Sequence, residues 1–419
     1  MSALAASADP RLTSRRAIEA LRSGVPSRDA VTVLGCGQAE IEDRFAALLD
    51  GTTATDPSRR GLLLGGGFGS GKSHLLEHLA ALALAHGYAV SRVVVSKETP
   101  LYDPAKVFRA AAQSAVLPGG HGAALTEAAA GLDSDTAAYA DLLRWASGGR
   151  SGLNERFPAT LLLYPRARDA DGEFADSIVR FWSGDPIRVP ELRRRLREAG
   201  EGRPALPPVT ARELGRQRFR FGARLLTAAG SAGWLVLFDE VELIGRYSLL
   251  QRGRSYAELA EWLQGAPAEA GEPLLAVLAM TDDFEAAVLT GKKDREEVPL
   301  RLRGKQTSEA DELAATAQVG MRLIERSMTL LTPPDAAELG GAYAKLKSLH
   351  GEAFGWDPVD VAGLEQLGAT SMRQYVRAWI NEWDLVRLDP DYVPSTEVVS
   401  VASNYREEPA LERAEDIDE

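Results

Sequence analysis

Two hydrophobic periods alternate along this chain, and the switching between them predicts an α/β fold built on a parallel sheet. Four short apolar runs, GLLLG at 61–65, YAVSRVVVS at 88–96, WLVLF at 234–238 and LLAVLAM at 274–280, read as buried strands, and a fifth is expected at 328–331. Between them apolar residues recur at helical spacing. Helices are expected at 14–23, with Ala17, Ile18 and Leu21 on one face, and at 38–49, 72–86, 103–115, 126–146, 191–199 and 210–229, the last with Leu214, Phe221 and Leu225 on its apolar face. Past Pro333-Pro334 the segments 336–350, 359–367 and 372–385 all read as helix. The strand–loop–helix–strand order over 61–96 is the βαβ unit of a parallel sheet.

This pattern divides the chain. Residues 1–60 form an N-terminal helical segment whose first fourteen positions are expected to be disordered. Residues 61–334 form the sheet-bearing core, with a helical insertion over about 118–204. A C-terminal helical lid follows over 335–396, then an acidic, disordered tail over 397–419.

Composition narrows the class. The chain has 419 residues, 45% hydrophobic and 26% charged, as in an ordinary globular protein. It shows neither a basic-then-apolar leader nor an uncharged apolar run of about 18 residues, so no membrane association and a cytoplasmic location are expected. One cysteine, Cys36, excludes an internal disulfide or a Cys-rich zinc site, and five scattered histidines argue against a His-based metal centre. The net charge of −12 is uneven: the last fourteen residues hold seven acids against two arginines, whereas 188–224 holds eleven arginines against four glutamates. That basic stretch makes duplex DNA a candidate partner, although only Phe219 and Phe221 interleave for base stacking. The competing reading is a solvated helix face paired with acids elsewhere.

The most specific chemistry follows the first strand. Gly66-Gly67-Phe68-Gly69-Ser70-Gly71-Lys72-Ser73 matches G-x-x-x-x-G-K-[ST], with His74 completing the candidate nucleotide-binding set. Glycines let successive backbone N–H groups face a phosphate, and the helix N-terminus adds its positive dipole end. Lys72 is then placed to reach the β- and γ-phosphates of ATP, and the Ser73 hydroxyl to ligate Mg²⁺. The strand at 234–238 runs into Asp239-Glu240, giving a second Mg²⁺-holding group and a carboxylate suited to general-base work on water. A solvated strand end is the structural alternative for that pair.

Together these features resemble P-loop NTPases of the AAA+ class, in the additional-strand, catalytic-glutamate division, with origin-recognition and STAND proteins as the nearest types. The resemblance implies ATP hydrolysis. It makes Thr281, at the end of the fourth strand, a sensor that orients water. It makes Arg373 a lid arginine on the γ-phosphate, with Arg377 as alternate and Thr370 or Ser371 as the helix cap. Arg301 and Arg303 become candidates for a finger reaching into a neighbouring subunit of a homo- or hetero-oligomer. The Gly-x-x-x-Glu signature of such proteins fits loosely at 37–42, with Gln38 where an arginine is usual. A closer resemblance runs through 15–31, 66–80 and 93–111, where SKETPLYDP is the most specific string: these stretches resemble the ATP-binding protein of bacteriophage-exclusion (BREX) systems, BrxD type. It implies partners among other defence proteins. Two further readings remain, a nucleotide-dependent scaffold with negligible turnover and, disfavoured by the Asp-Glu pair, a small-molecule kinase.

Overall fold

The computed structural model describes residues 9–24, 27–51, 60–120, 122–201, 205–264, 273–304, 306–361 and 372–393. The N-terminal helices are α1 (Pro10–Ser23), α2 (Arg28–Leu34) and α3 (Ala39–Leu49). The first βαβ unit follows as β1 (Gly61–Gly65), α4 (Lys72–Ala85) and β2 (Ala89–Val94). Helices α5 (Pro104–Ser114), α6 (Ala124–Gly131), α7 (Ala137–Ser147), α8 (Arg156–Ala170), α9 (Gly172–Trp182), α10 (Val189–Glu198) and α11 (Ala211–Ala228) separate it from β3 (Trp234–Asp239). Then come α12 (Leu249–Gln264), β4 (Leu274–Met280), α13 (Asp294–Arg303), α14 (Ser308–Ser327) and β5 (Met328–Leu330), and lastly α15 (Ala336–Phe354) and α16 (Met372–Leu388).

The five strands form one sheet, parallel throughout, in the order β2-β3-β4-β1-β5. The strand that separates β1 from β3 in space is therefore β4, whereas β2, which separates them in sequence, lies at the sheet edge. Side chains of a strand point alternately to opposite faces. Leu62 and Leu64 face a core with α3 and α4, while Leu63 faces a larger one with the helices between β2 and β3. Both faces are covered, which is why the strands read as continuous apolar runs.

The larger core extends without a break into α6 to α10, the segment expected as a helical insertion. There Phe157, Phe181, Phe221 and Trp182 pack with ring centroids 4.9–5.6 Å apart. The helix expected over 126–146 is two helices, because the turn at 132–136 ends α6 and Thr136 caps α7. Helices α2, α8, α9, α12, α13 and α14 lie outside the helices expected from the sequence. In α8, α12 and α13 the apolar residues face more than one neighbour, so no single stripe marks them, whereas α9 (Phe174, Ile178, Phe181) and α14 (Ala310, Ala314, Ala317, Met321) each bury one helical stripe. Helix α14 lies against α12 so closely that a Cβ on Gly320 would fall 1.9 Å from the Tyr256 carbonyl oxygen. A buried Arg252–Asp294 pair, two contacts of 2.8 Å with the Tyr256 hydroxyl donating at 2.6 Å, joins α12 to α13.

A third core lies at the end of the molecule nearest the phosphate loop. It joins Ala17, Ile18 and Ala30 of the N-terminal helices to Leu346, Trp379 and Trp383 of α15 and α16. The first helix begins at Pro10, with the Asp9 carboxylate capping it, so positions 10–14 are helical and not disordered. The expected helix at 359–367, the caps Thr370 and Ser371 and the acidic tail lie outside the described residues, apart from 359–361.

Candidate nucleotide-binding site

The carboxyl ends of β1, β3 and β4 meet at one edge of the sheet, where parallel α/β folds place ligands. β1 delivers the glycine-rich loop. Gly71, at φ +102°, forms the N-cap of α4, a backbone state that only glycine adopts without strain. The loop then turns straight into α4, held down by Leu75, Leu76 and Leu79 in the core.

Lys72 is 9% exposed and its ammonium donates to the carbonyls of Gly66 at 2.7 Å and Gly67 at 3.1 Å. The Ser70 hydroxyl packs over Gly66, where an added Cβ would sit 2.5 Å from it, and its oxygen is buried with no hydrogen-bond partner among the described residues. A buried hydroxyl without a partner suits a loop that closes on a polar ligand. Phe68 stands at the loop tip, more than half exposed.

Asp239 ends β3, and its Oδ1 accepts the Glu240 N–H at 2.9 Å. Glu240 takes φ +57°, a strained state for a residue with a side chain. Burial and the adjacent Asp239 push its carboxyl above the usual range, while Lys72 and Arg373 pull the other way. The lysine of the loop, the acid of the strand end and an arginine of α16 thus share one field. Thr281, 1% exposed, follows β4, the strand between β1 and β3.

Arg373 comes to the loop from more than three hundred positions away. Its backbone N–H meets the Gly69 carbonyl at 3.4 Å, and its side chain passes beside Gly24, 3.7 Å from where a Cβ would stand. Arg377, one turn on, is exposed and does not line the cavity.

A cavity of about 600 Å³ lies beside the loop. Ser70, Ser73 and His74 form its floor, the turn at Gly35-Cys36-Gly37 one wall, and Glu338, Lys345 and Arg373 the other. His74 holds the turn in place: its Nε2 lies 2.8 Å from the Gly35 carbonyl, and burial pushes the imidazole pKa down, so the neutral ring donates this bond. Gln38 is used structurally. Its side-chain amide donates to the Thr332 carbonyl and accepts the Thr332 N–H, both at 2.9 Å, which joins the start of α3 to the chain leaving β5.

Three acids near the site escaped sequence reasoning. Asp282 Oδ2 lies 4.0 Å from the Cβ position of Gly67, beside the loop. Glu338 faces Gly37 across the cavity, its Oε1 3.0 Å from the Cβ position there. Glu242, in the short 3-10 turn after Glu240, is largely buried, and its Oε2 has no hydrogen-bond partner among the described residues. Burial drives its carboxyl up to about 7, with Asp239 and Glu240 adding repulsion against the pull of Lys72. The sequence signal was present, since the run is Asp-Glu-Val-Glu, but nothing local distinguishes a buried second glutamate from an exposed one.

The sign of the resulting pH dependence follows from linkage. A carboxyl whose folded pKa is raised contributes stability fully below its unfolded value near 4.5 and loses it as pH rises through about 7. Glu242→Gln removes the ionisation. The variant is expected to be more stable than the parent at pH 8, by up to about 3 kcal/mol, and to show no such gain near pH 4.5. Urea midpoints at the two pH values, without nucleotide, measure this. Equal differences at both would remove Glu242 from the buried, ionising class.

The basic stretch at 188–224 is divided: Arg188, Arg193, Arg194, Arg197 and Arg216 are exposed, while others are engaged with the fold. Arg195 pairs with Asp171 and lies over the Phe174 ring at 4.9 Å. Arg212 and Arg216 both reach the buried carboxylate of Glu258. Arg218, 5% exposed, donates to the carbonyls of Phe181 and Asp185, and burial lowers its pKa to about 10. Phe219 and Phe221 are buried in the core, out of reach of a base.

Among the described residues no helix is long and apolar enough to cross a membrane. No curated protein and no solved structure matches the chain. The resemblance read from the glycine-rich loop and its flanks does hold: residues 10–128, which include that loop, match the family described as BREX system ATP-binding protein BrxC/D.

Proposed function

We propose that this protein binds and hydrolyses Mg·ATP as an AAA+-like ATPase and acts with other proteins of a BREX anti-phage defence system. The observation that carries the reading is the meeting of Lys72, Glu240 and Arg373, from three distant parts of the chain, around one phosphate-binding loop beside a nucleotide-sized cavity. The match over residues 10–128 to a family named for ATP binding supports the cofactor, and the strand order, with β4 between the loop strand and the acidic strand, supports the AAA+-like class.

In this reading the loop N–H groups hold the phosphates, and Lys72 moves from the Gly66 and Gly67 carbonyls onto the β- and γ-phosphates. The donor set for the metal is the Ser73 hydroxyl and the Asp239 carboxylate, hard oxygens that suit Mg²⁺. The ion would offset the charge that develops on the phosphates. Glu240 takes the proton of the attacking water, Thr281 orients that water, and Arg373 faces the γ-phosphate from α16. The adenine end lies against the Gly35–Gly37 turn. Because Gln38 is tied to Thr332, base recognition there falls to the turn's backbone. Duplex DNA stays a candidate partner through arginines that the fold leaves exposed, Arg193 and Arg197 of α10.

The test of the site is Lys72→Ala with ATP affinity measured by calorimetry in Mg²⁺. Loss of a charge-assisted contact to phosphate is expected to weaken binding by about 10- to 100-fold. Unchanged affinity would overturn the assignment of the loop. Phosphate release by the parent protein, with and without duplex DNA, then separates an ATPase from a scaffold that binds ATP without turnover.

A further inference from the structure

The only cysteine of the chain and one of its five histidines, dispersed in sequence, come together in space with a glutamate. Cys36 sits in the α2–α3 turn between Gly35 (φ +72°) and Gly37 (φ +64°), which fold the turn tightly enough to aim the thiol at the first turns of α3. There Cys36 Sγ donates to Glu42 Oε1 at 2.7 Å. His78, on α4, brings its Nε2 to 3.3 Å from the same oxygen, yet this buried nitrogen forms no hydrogen bond among the described residues. The three potential ligand atoms all lie within 4.8 Å of one another.

We propose that Cys36, Glu42 and His78 form a binding site for a soft divalent cation, Zn²⁺ by its ligand set, at the edge of the cavity. One sulfur, one nitrogen and one carboxylate oxygen together suit zinc, whereas the sulfur and nitrogen are poor ligands for Mg²⁺, whose expected groups, Ser73 and Asp239, are separate residues. Zinc binds such atoms at about 2.0–2.3 Å, so three atoms this close need only small side-chain shifts to enclose it. Uptake breaks the Sγ–H···Oε1 hydrogen bond. The thiol proton passes to solvent and the thiolate, carboxylate and neutral imidazole each donate a lone pair to the ion. All three residues line the cavity, so a fourth position faces it and takes water. His74 is not a ligand, because its Nε2 is engaged with Gly35. By holding the turn that it reinforces, His74 keeps Cys36 in register with α4.

The bound ion would join the N-terminal segment to the phosphate-loop helix. This goes beyond the ATPase reading and does not depend on it, so it is tested on the nucleotide-free protein. Titration with Co²⁺, a spectroscopic stand-in for zinc, is expected to give a thiolate-to-cobalt charge-transfer band that saturates at one equivalent and is displaced by Zn²⁺. Cys36→Ser is expected to abolish the band, and Glu42→Ala and His78→Ala to weaken uptake by more than about tenfold, the scale on which even an outer partner of a metal site acts. Glu40→Ala, an exposed change on the same helix, is expected to leave uptake unchanged. No band in the parent protein, or a band retained in Cys36→Ser, would overturn the site. Should Cys36→Ser fold poorly, the parent titration and His78→Ala decide alone: uptake as tight in His78→Ala as in the parent also rejects it.

Discussion

Glu240→Gln is expected to leave ATP binding intact and to lower the rate of ATP hydrolysis by about 10²–10⁴, the usual loss when a general base is removed. The amide keeps the size of the side chain and can still hydrogen-bond water, but it cannot take the water's proton. Its position supports this division. Glu240 shares a field with Lys72 and Arg373, and its left-handed backbone turns it away from the strand direction at the point where β3 ends. Burial next to Asp239 raises its carboxyl, which moves a base toward the working pH. Binding measured by calorimetry and single-turnover hydrolysis measured on the same preparation separate the two effects. Hydrolysis at the parental rate would assign the base elsewhere, and Glu242, buried three positions away from Asp239, would be the next carboxylate to test.

The second large effect concerns assembly. Arginine fingers contribute about 10³–10⁵ in rate in phosphoryl-transfer systems, so a chain that receives its finger from a neighbour is a poor ATPase alone. The structure separates the two candidates on α13. Arg303 is engaged, its Nη2 3.4 Å from Gln318 and its Nε 3.9 Å from Asp311. Arg301 is exposed, no hydrogen bond or ion pair holds its guanidinium among the described residues, and its neighbour Leu300 is 70% exposed. Neither arginine lines the cavity of its own chain.

Specific activity is therefore expected to rise with protein concentration or on adding a partner ATPase of the same system. Arg301→Ala is expected to lose activity while retaining ATP binding, and Arg303→Ala to lose less. Mixing Arg301→Ala with Glu240→Gln is expected to restore turnover, since one supplies an intact site and the other an intact finger. Activity independent of concentration in a monomeric protein, with both arginine variants fully active, would reject the shared site. Arg373, which reaches the loop within the chain, would then be the arginine on the γ-phosphate.

Features carried by contiguous residues were legible in the sequence. The glycine-rich loop between a strand and a helix, the five strands and the Asp239-Glu240 strand end all depend on spacing within a dozen residues, and local backbone chemistry is enough to specify them. Helices α8 and α13 are hard to read from sequence because their periodicity is blurred by burial on several sides and by Pro165 and Pro299 inside them. The helix at 10–23 starts before the apolar stripe that marks it, because Asp9 is its cap and Pro10 opens its first turn, residue types that disordered segments also carry.

What only the tertiary structure decided are the relations between distant segments. The order β2-β3-β4-β1-β5 inserts a strand from position 274 onward between two that precede it in the chain, which no local pattern can dictate. The cavity has one wall from the N-terminal turn and another from the C-terminal helices, because the packing of Ala17 and Ile18 against Trp379 and Trp383 folds the two ends of the chain together. The same closure brings Arg373 beside Gly24 and joins Gln38 to Thr332. The arginine-rich stretch shows the converse. Its charge was plain in the sequence, but Glu258, Asp171 and the carbonyls of Phe181 and Asp185, which engage it, become its neighbours only when the helices pack, since burying a guanidinium is tolerable only where acceptors are already in place.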